Sequence, residues 1–220
     1  MQPAYRIILA LVDPHYFASR YTYDPARARV WRAICEYLQD YVKPDDTVLE
    51  LGAGYCDFIN QIHAVKKYAL DVNPDVATYC APDVTFLHAA ADRLPLDAAS
   101  VDVIAASNLL EHLDPAQLDG LFAHIDRILK PRGTLLLIQP NIFYAYRRYW
   151  DDYTHVKAFS HVSLSDFLVS KGFTIAAVEA RFLPLTLKSA LPKSYWLTRA
   201  YLQLPWRPLA GQMLVVATKA

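Results

Sequence analysis

Glu50-Leu51-Gly52-Ala53-Gly54 is the first stretch of the chain whose residue types and spacing could do chemistry. Gly52 and Gly54 remove side chains where the backbone must turn, so a ligand can approach the main chain, and amides of a following helix would point toward it. Asp71 lies about twenty residues further on, at the end of a second apolar run, where a carboxylate can accept both hydroxyls of a nucleoside ribose. Asp92 follows a third apolar run and could accept from an adenine amino group. A glycine turn alone also serves packing, and a dinucleotide fingerprint begins in the same way. The placement of the acids favours an adenosine-bearing ligand.

A second group of reactive types follows in Ser107-Asn108-Leu109-Leu110-Glu111-His112-Leu113. Asn108, Glu111 and His112 stand at i, i+3 and i+4, which on a helix would share one face beside a reacting group. The same spacing from Asn108 to Glu111 also fits a capping box that merely starts a helical turn. One carboxylate and one imidazole are too few ligands for a metal, so none is expected. His155, in Asp151-Asp152-Tyr153-Thr154-His155, is the leading candidate for a general base, because its unperturbed pKa suits proton removal from an attacking hydroxyl. Asp151 and Asp152 could orient its ring. The competing reading is a loop-ordering histidine bonded to a backbone carbonyl.

These residues need a scaffold to position them. Val30, Ala33, Ile34, Tyr37, Leu38 and Tyr41 recur at three- and four-residue steps, which predicts an amphipathic helix over 25–41. Residues 47–51 read as a strand entering the glycine turn, and Ile59, Ile62 and Val65 predict a helix after it. Strands are expected over 68–71, 84–88 and 101–106, with Asn73-Pro74 opening a short helix. Asp114-Pro115 predicts a capped helix start, Leu118, Leu121, Phe122, Ile125, Ile128 and Leu129 its buried stripe, and Lys130-Pro131-Arg132-Gly133 its end. A strand over 134–139, a helix from Ser163 to Lys171 closed by Gly172, and strands over 173–182 and 212–218 complete the pattern. Such alternation predicts an α/β domain around a parallel, doubly wound sheet.

Together, the glycine turn, Asp71, Asp92 and the Leu135-containing strand after Lys130-Pro131-Arg132-Gly133 resemble the class I S-adenosylmethionine-dependent methyltransferases, of the type grouped with ubiquinone methyltransferases, over roughly 47–139. The resemblance implies a Rossmann-like seven-stranded sheet, mostly parallel with an antiparallel last strand, with helices on both faces. It implies S-adenosyl-L-methionine as cofactor. Glu50, Gly52, Ala53 and Gly54 would wrap its methionine part, Asp71 with Val72 would hold the ribose, and Ala91 with Asp92 would flank the adenine. Asn108 would border the transferring methyl, with His112 and His155 as the other candidates for catalysis. Cys56 stands where the family often has a third glycine, which weakens a dinucleotide reading, whose third glycine permits close helix packing. Ubiquinone-type O-methyltransferases carry a glutamate where this chain has Asn108.

At 220 residues the chain is sized for one domain. It reads as an N-terminal helical cap over 1–46, a cofactor-binding core over 47–140, and acceptor-side loops with the last two strands over 141–220, including an aromatic insertion over 183–210. Lysine plus arginine balance aspartate plus glutamate at 22 each, which argues against a nucleic-acid partner. Cys35, Cys56 and Cys80 form no CxxC pair, and the apolar run over 7–12 is far shorter than the ~20 residues of a membrane span, so a cytoplasmic protein is expected. Leu183-Pro184-Leu185-Thr186-Leu187-Lys188-Ser189 resembles bacterial methyltransferases of cell-surface saccharide assembly. The expected activity is therefore O-methylation of a hydroxyl on a small molecule or a saccharide or glycolipid precursor. The aromatic insertion needs an apolar partner, and three readings stand open: it covers the core, dimerises, or makes peripheral contact with a membrane or a lipid-linked substrate. Two other readings compete, a nicotinamide-dependent oxidoreductase and a non-catalytic module that binds the cofactor or an apolar partner.

Overall fold

The structure, a computed structural model, describes residues 23–90, 93–184 and 192–220. The apolar run over 7–12, Ala91 with Asp92, and the 185–191 part of the insertion lie outside the described residues. The described residues open with helix α1 (Arg27–Leu38) and a 3-10 turn over Gln39–Tyr41, then enter strand β1 (Thr47–Leu51). Strands β2 (Lys66–Asp71), β3 (Val84–His88) and β4 (Val101–Ser107) follow, then helix α2 (Pro115–Ile128) and strand β5 (Leu129–Pro140). A short helix α3 (Ile142–Ala145), helix α4 (His161–Ser170), strand β6 (Phe173–Pro184), helix α5 (Tyr195–Leu202) and strand β7 (Ala210–Lys219) complete it.

The seven strands form one sheet in the order β3-β2-β1-β4-β5-β7-β6. β1 through β5 pair in parallel, and β7 pairs antiparallel with both β5 and β6. Alternate side chains of each strand enter opposite cores, as the pleat requires. Val48, Leu136, Ile138, Leu214 and Val216 pack with α1 and the 53–62 turn on one face. Leu49, Leu51, Leu135, Leu137, Met213 and Val215 pack with α2 and α4 on the other. Because both faces are covered, the central strands are apolar almost throughout.

One helix start follows its sequence signal closely: Asp114 caps α2 through Gln117 in a reciprocal capping box, with Pro115 in the first turn. Helix α4 was expected from Ser163 but starts at His161, because Ser160 caps it through Ser163. One expected helix does not form. After the glycine turn, 54–62 is a succession of turns, with i to i−4 bonds only from Asn60 to Cys56 and from Ile62 to Phe58. Cys56 takes φ +56, which breaks a right-handed helix at its start, and the Asn60 side chain bonds Tyr79 and Ala81 across the gap to β3. Ile59 and Ile62 are buried as their spacing demands, whereas Val65, expected on the same face, is 73% exposed. Leu129, read as part of the α2 stripe, is buried at the first position of β5.

β1 lies between β2 and β4, so the order of strands reverses direction there. In an open parallel sheet the loops beyond the carboxyl ends of two such strands diverge and leave a crevice between them. The glycine turn leaves β1 at that crevice, and the Asn108–His112 segment leaves β4 beside it.

Candidate functional site

On the β1 side, the ladder continues past the strand end. The amides of Gly52 and Ala53 donate to the Leu70 carbonyl at 2.9 and 3.1 Å, and both Gly52 and Gly54 have positive φ, at +65 and +53. Asp71, at the end of β2, closes the turn from the other side. Its Oδ2 accepts from the Gly54 amide and its Oδ1 from the Asn73 amide, each at 2.9 Å. Burial pushes the Asp71 carboxyl above the ordinary range, while the Asn73 and Gly54 amides draw it back. Each oxygen has a second lone-pair direction, so a carboxylate already fixed by two amides can still accept two ligand hydroxyls. The residues therefore fit the ribose of an adenosine cofactor. Val72 adjoins this carboxylate, and its carbonyl meets His88 Nε2 at 3.0 Å.

Glu50 was expected on the cofactor itself. In the fold it is buried and its Oε2 accepts from the Ile59 amide at 3.1 Å, so it braces the far end of the turn from beneath. Desolvation holds its carboxyl well above the ordinary carboxylate range. Cys56 is buried in a left-handed conformation that glycine would adopt more cheaply, and its Sγ lies 3.4 Å from that of Cys80. The sequence alone did not show that these two thiols meet.

The two sides of the crevice are joined at Gly52. A Cβ built there would stand 3.2 Å from Leu109 Cδ1, so the missing side chain leaves the space that Leu109 fills. Asn108, next to it, has φ +52 and accepts at Oδ1 from Gln212 Nε2 at 3.0 Å, while its own Nδ2 donates to Ser107. It caps nothing. The cap of the 3-10 turn Leu110–His112 is Leu109, without a side-chain bond, so the capping-box reading fails because Asn108 has already left helical space. Nor do Asn108, Glu111 and His112 act as one helical face. Asn108 is drawn to β7, and Glu111 and His112 turn to the loop after α3.

That loop brings His155 to His112. The rings are 4.9 Å apart at 66°. His155 Nδ1 meets the Tyr149 carbonyl at 2.6 Å, the backbone bond anticipated as the competing reading. His112 Nδ1 meets Thr154 Oγ1 at 2.9 Å and the Thr154 carbonyl at 3.3 Å. Thr154 donates its hydroxyl proton to Asp152 at 2.7 Å, so it can only accept from His112. A carbonyl likewise only accepts. In its neutral form each ring thus keeps its proton on Nδ1. Asp152 orients His112 through Thr154. Desolvation, then the neighbouring His155, pushes His112 down to about 4, which leaves it uncharged at neutral pH.

Glu111 completes the group. It is 1% exposed, neither carboxylate oxygen has a hydrogen-bond partner among the described residues, and Oε1 lies 3.9 Å from His112 Nε2, too far for a hydrogen bond. Burial raises its carboxyl to about 8. Gln139, on β5, is another buried side chain whose amide has no hydrogen-bond partner among the described residues. Neither orphan was visible in the sequence, because spacing along one strand does not say what stands opposite.

Arg207 is buried against Glu179, Tyr37 and the Leu202 carbonyl and ties the end of the insertion to the body. Trp196 and Trp206 remain 71% and 61% exposed, and Arg181 stands over the Trp206 ring. Among the described residues, no helix is long and apolar enough to cross a membrane.

Residues 49–137 match the family model of a methyltransferase domain. The chain is 28% identical over 102 residues to the uncharacterized methyltransferase sll0829 of Synechocystis sp., covering 44% of this chain and 48% of the relative. It is 31% identical over 101 residues to a malonyl-[acyl-carrier protein] O-methyltransferase of Methylovorus sp., covering 43% and 33%. The matches thus span less than half the length of these relatives. A solved S-adenosylmethionine-dependent methyltransferase from Archaeoglobus fulgidus superposes with a TM-score of 0.65 at 20% identity, over 94% of this chain and 98% of that one. The family match covers β1 through most of β5, and the likeness in fold extends over nearly the whole chain. Residues 49–137 thus carry the sequence of a methyltransferase domain, and the fold of nearly the whole chain is that of a solved S-adenosylmethionine-dependent methyltransferase.

Proposed function

We propose that the chain binds S-adenosyl-L-methionine across the carboxyl ends of β1 and β4 and transfers its methyl group to a hydroxyl oxygen of a small molecule, or of a saccharide or glycolipid precursor. The observation that carries this reading is Leu109 packed against Gly52, which couples the turn suited to the donor with the His112–His155 pair suited to the acceptor. When bound, the cofactor supplies a methyl group on a positively charged sulfur. Asp71 would hold the ribose hydroxyls, the positive-φ turn at Gly52, Ala53 and Gly54 would lie along the methionine part, and Ala91 and Asp92 would flank the adenine. Asn108, fixed by Gln212, would border the methyl group. A bound sulfonium would favour the ionised form of the buried carboxyls near the turn, Glu50 and Asp71, and be held by it in turn.

The acceptor oxygen would attack the methyl carbon as the carbon–sulfur bond breaks, and its proton would leave to an Nε2 lone pair of the histidine pair, His155 first. Alignment of donor and acceptor accounts for much of the rate in such a displacement. Oxygen as the acceptor atom is supported by the O-methyltransferase among the relatives. The saccharide class is supported by Trp196 and Trp206, whose exposed faces could carry the apolar face of a sugar ring, and the same side chains suit a lipid-linked acceptor at a membrane surface.

His155→Ala tests the assignment. With an authentic acceptor found by screening glycans and small phenols, turnover should fall at least tenfold while cofactor affinity stays within a factor of two. Equal rates would remove His155 from the mechanism.

A further inference from the structure

Arg181, close to the carboxyl end of β6, stands over two rings, 4.2 Å from the centroid of Tyr144 and 5.3 Å from that of Trp206. A ring face attracts the charge but gives the N–H donors of a guanidinium no lone pair to meet. Among the described residues, none accepts a hydrogen bond from the Arg181 side chain or forms an ion pair with it. The carboxylate of β6, Glu179, is already taken by Tyr37 and Arg207. A half-buried cation is therefore fixed by aromatic contacts while its fork of donors stays open.

A second donor stands beside the Tyr144 ring. Asn141, buried just after β5, has its amide oriented by two bonds, Oδ1 accepting from the Phe143 amide at 3.1 Å and Nδ2 donating to the Ala180 carbonyl at 2.9 Å. The same Nδ2 lies 3.2 Å from His161 Nδ1, which must then be the acceptor. In its neutral form His161 keeps its proton on Nε2, where no described residue accepts it. Its ring lies nearly parallel to that of Tyr144, at 6.3 Å and 11°.

We infer that Arg181 and His161 form a subsite for a phosphate group carried by the methyl acceptor. A guanidinium fork matches two phosphate oxygens and leaves a third for the His161 N–H, whereas the two oxygens of a carboxylate would be used by the fork alone. β5 and β6 are both antiparallel to β7, so Arg181 lies at the same carboxyl edge of the sheet as the donor crevice. Three strand spacings separate β6 from β4, on the order of 15 Å. An acceptor reaching from Asn108 to Arg181 needs most of that length between its hydroxyl and its phosphate, which suits a phosphate-linked saccharide of more than one ring and not a small phenol. Trp206, 61% exposed beside Arg181, offers a face to a sugar ring next to the phosphate. Placing the phosphate on the methyl acceptor rests on the methyl-transfer reading, but its binding at Arg181 does not.

The full chain, shown to be folded by circular dichroism, is titrated with glucose 1-phosphate and with inorganic phosphate while tryptophan fluorescence and heat are followed. One equivalent of glucose 1-phosphate should bind and inorganic phosphate should compete with it, with glucose and glucuronate each at least tenfold weaker. Arg181→Lys, which keeps the charge but loses the fork, and Arg181→Gln should each weaken binding roughly tenfold, and His161→Phe, which keeps a ring but no donor, severalfold. Arg147→Gln, at an exposed arginine outside the pair, should leave it unchanged. Folded protein that binds neither phosphate compound, that holds glucuronate as tightly as glucose 1-phosphate, or whose affinity survives both Arg181 substitutions overturns the inference. S-adenosylmethionine is titrated into the same sample, so a protein that binds the cofactor but no phosphate loses the subsite and keeps the methyltransferase reading, and the converse result separates them the other way.

Discussion

Asp71 shows how much one residue can carry when the backbone fixes it. Both of its oxygens already accept an amide hydrogen bond, from Gly54 and Asn73, so the carboxylate is set in place before any ligand arrives and binding need not order it. Asp71→Ala should lower S-adenosylmethionine affinity at least severalfold, since charge-assisted bonds are each worth about 1.5–3 kcal/mol, with the change read by calorimetry. Unchanged affinity would show that the ribose is held elsewhere. Asp71 and the two glycines were legible because their role follows from their place after a strand. Asn108, Thr154 and Glu111 were named or passed over without their true partners, because Gln212 and His112 reach them from distant parts of the chain. Glu50 was legible as a site residue but not as a brace, since only the fold shows the Ile59 amide above it.

At the scale of elements, strands were the most readable part. Continuous apolar runs flanked by turn residues placed β3 at its observed bounds and β4 within one residue of them. Local signals also placed the start of α2. There the Asp114–Gln117 box satisfies two amides that the helix cannot, and Asp114→Ala should destabilise the fold by about 1 kcal/mol in urea unfolding without altering cofactor affinity. A loss of affinity in that variant would mean that α2 reports on the crevice. The helix expected after the glycine turn failed for a reason that periodicity cannot see. Apolar residues at three- and four-residue steps can be buried by a chain of turns as well as by a helix, and Cys56 at positive φ with Asn60 tied to the loop before β3 selects the turns. The crevice thus opens under amides of a tight turn rather than the end of a regular helix.

The whole molecule is two apolar layers on one sheet, with buried carboxyls gathered near its carboxyl edge. Burial raises Glu50, Asp57 and Asp71, in each case as the first cause, so the folded chain binds protons more tightly than the unfolded chain. Their contribution to stability is present in full below the ordinary carboxylate range and is lost as pH rises through the higher folded values. Thermal unfolding of the cofactor-free protein should therefore shift to lower temperature from mildly acidic to mildly alkaline pH. Glu50→Gln, whose amide oxygen can still accept from Ile59, should reduce that slope, and an unaltered slope would exclude Glu50 as a source of it. The same edge, rich in buried carboxyls, is suited to a cationic cofactor. The central claim is that the crevice between β1 and β4 binds the sulfonium cofactor. Its most direct test is calorimetric titration of the protein with S-adenosylmethionine and S-adenosylhomocysteine, with a nicotinamide dinucleotide as control. Binding of one equivalent of each sulfur compound, weakened by Asp71→Ala, with no heat from the dinucleotide, is the predicted result. Folded protein that binds neither sulfur compound, or that prefers the dinucleotide, would contradict it.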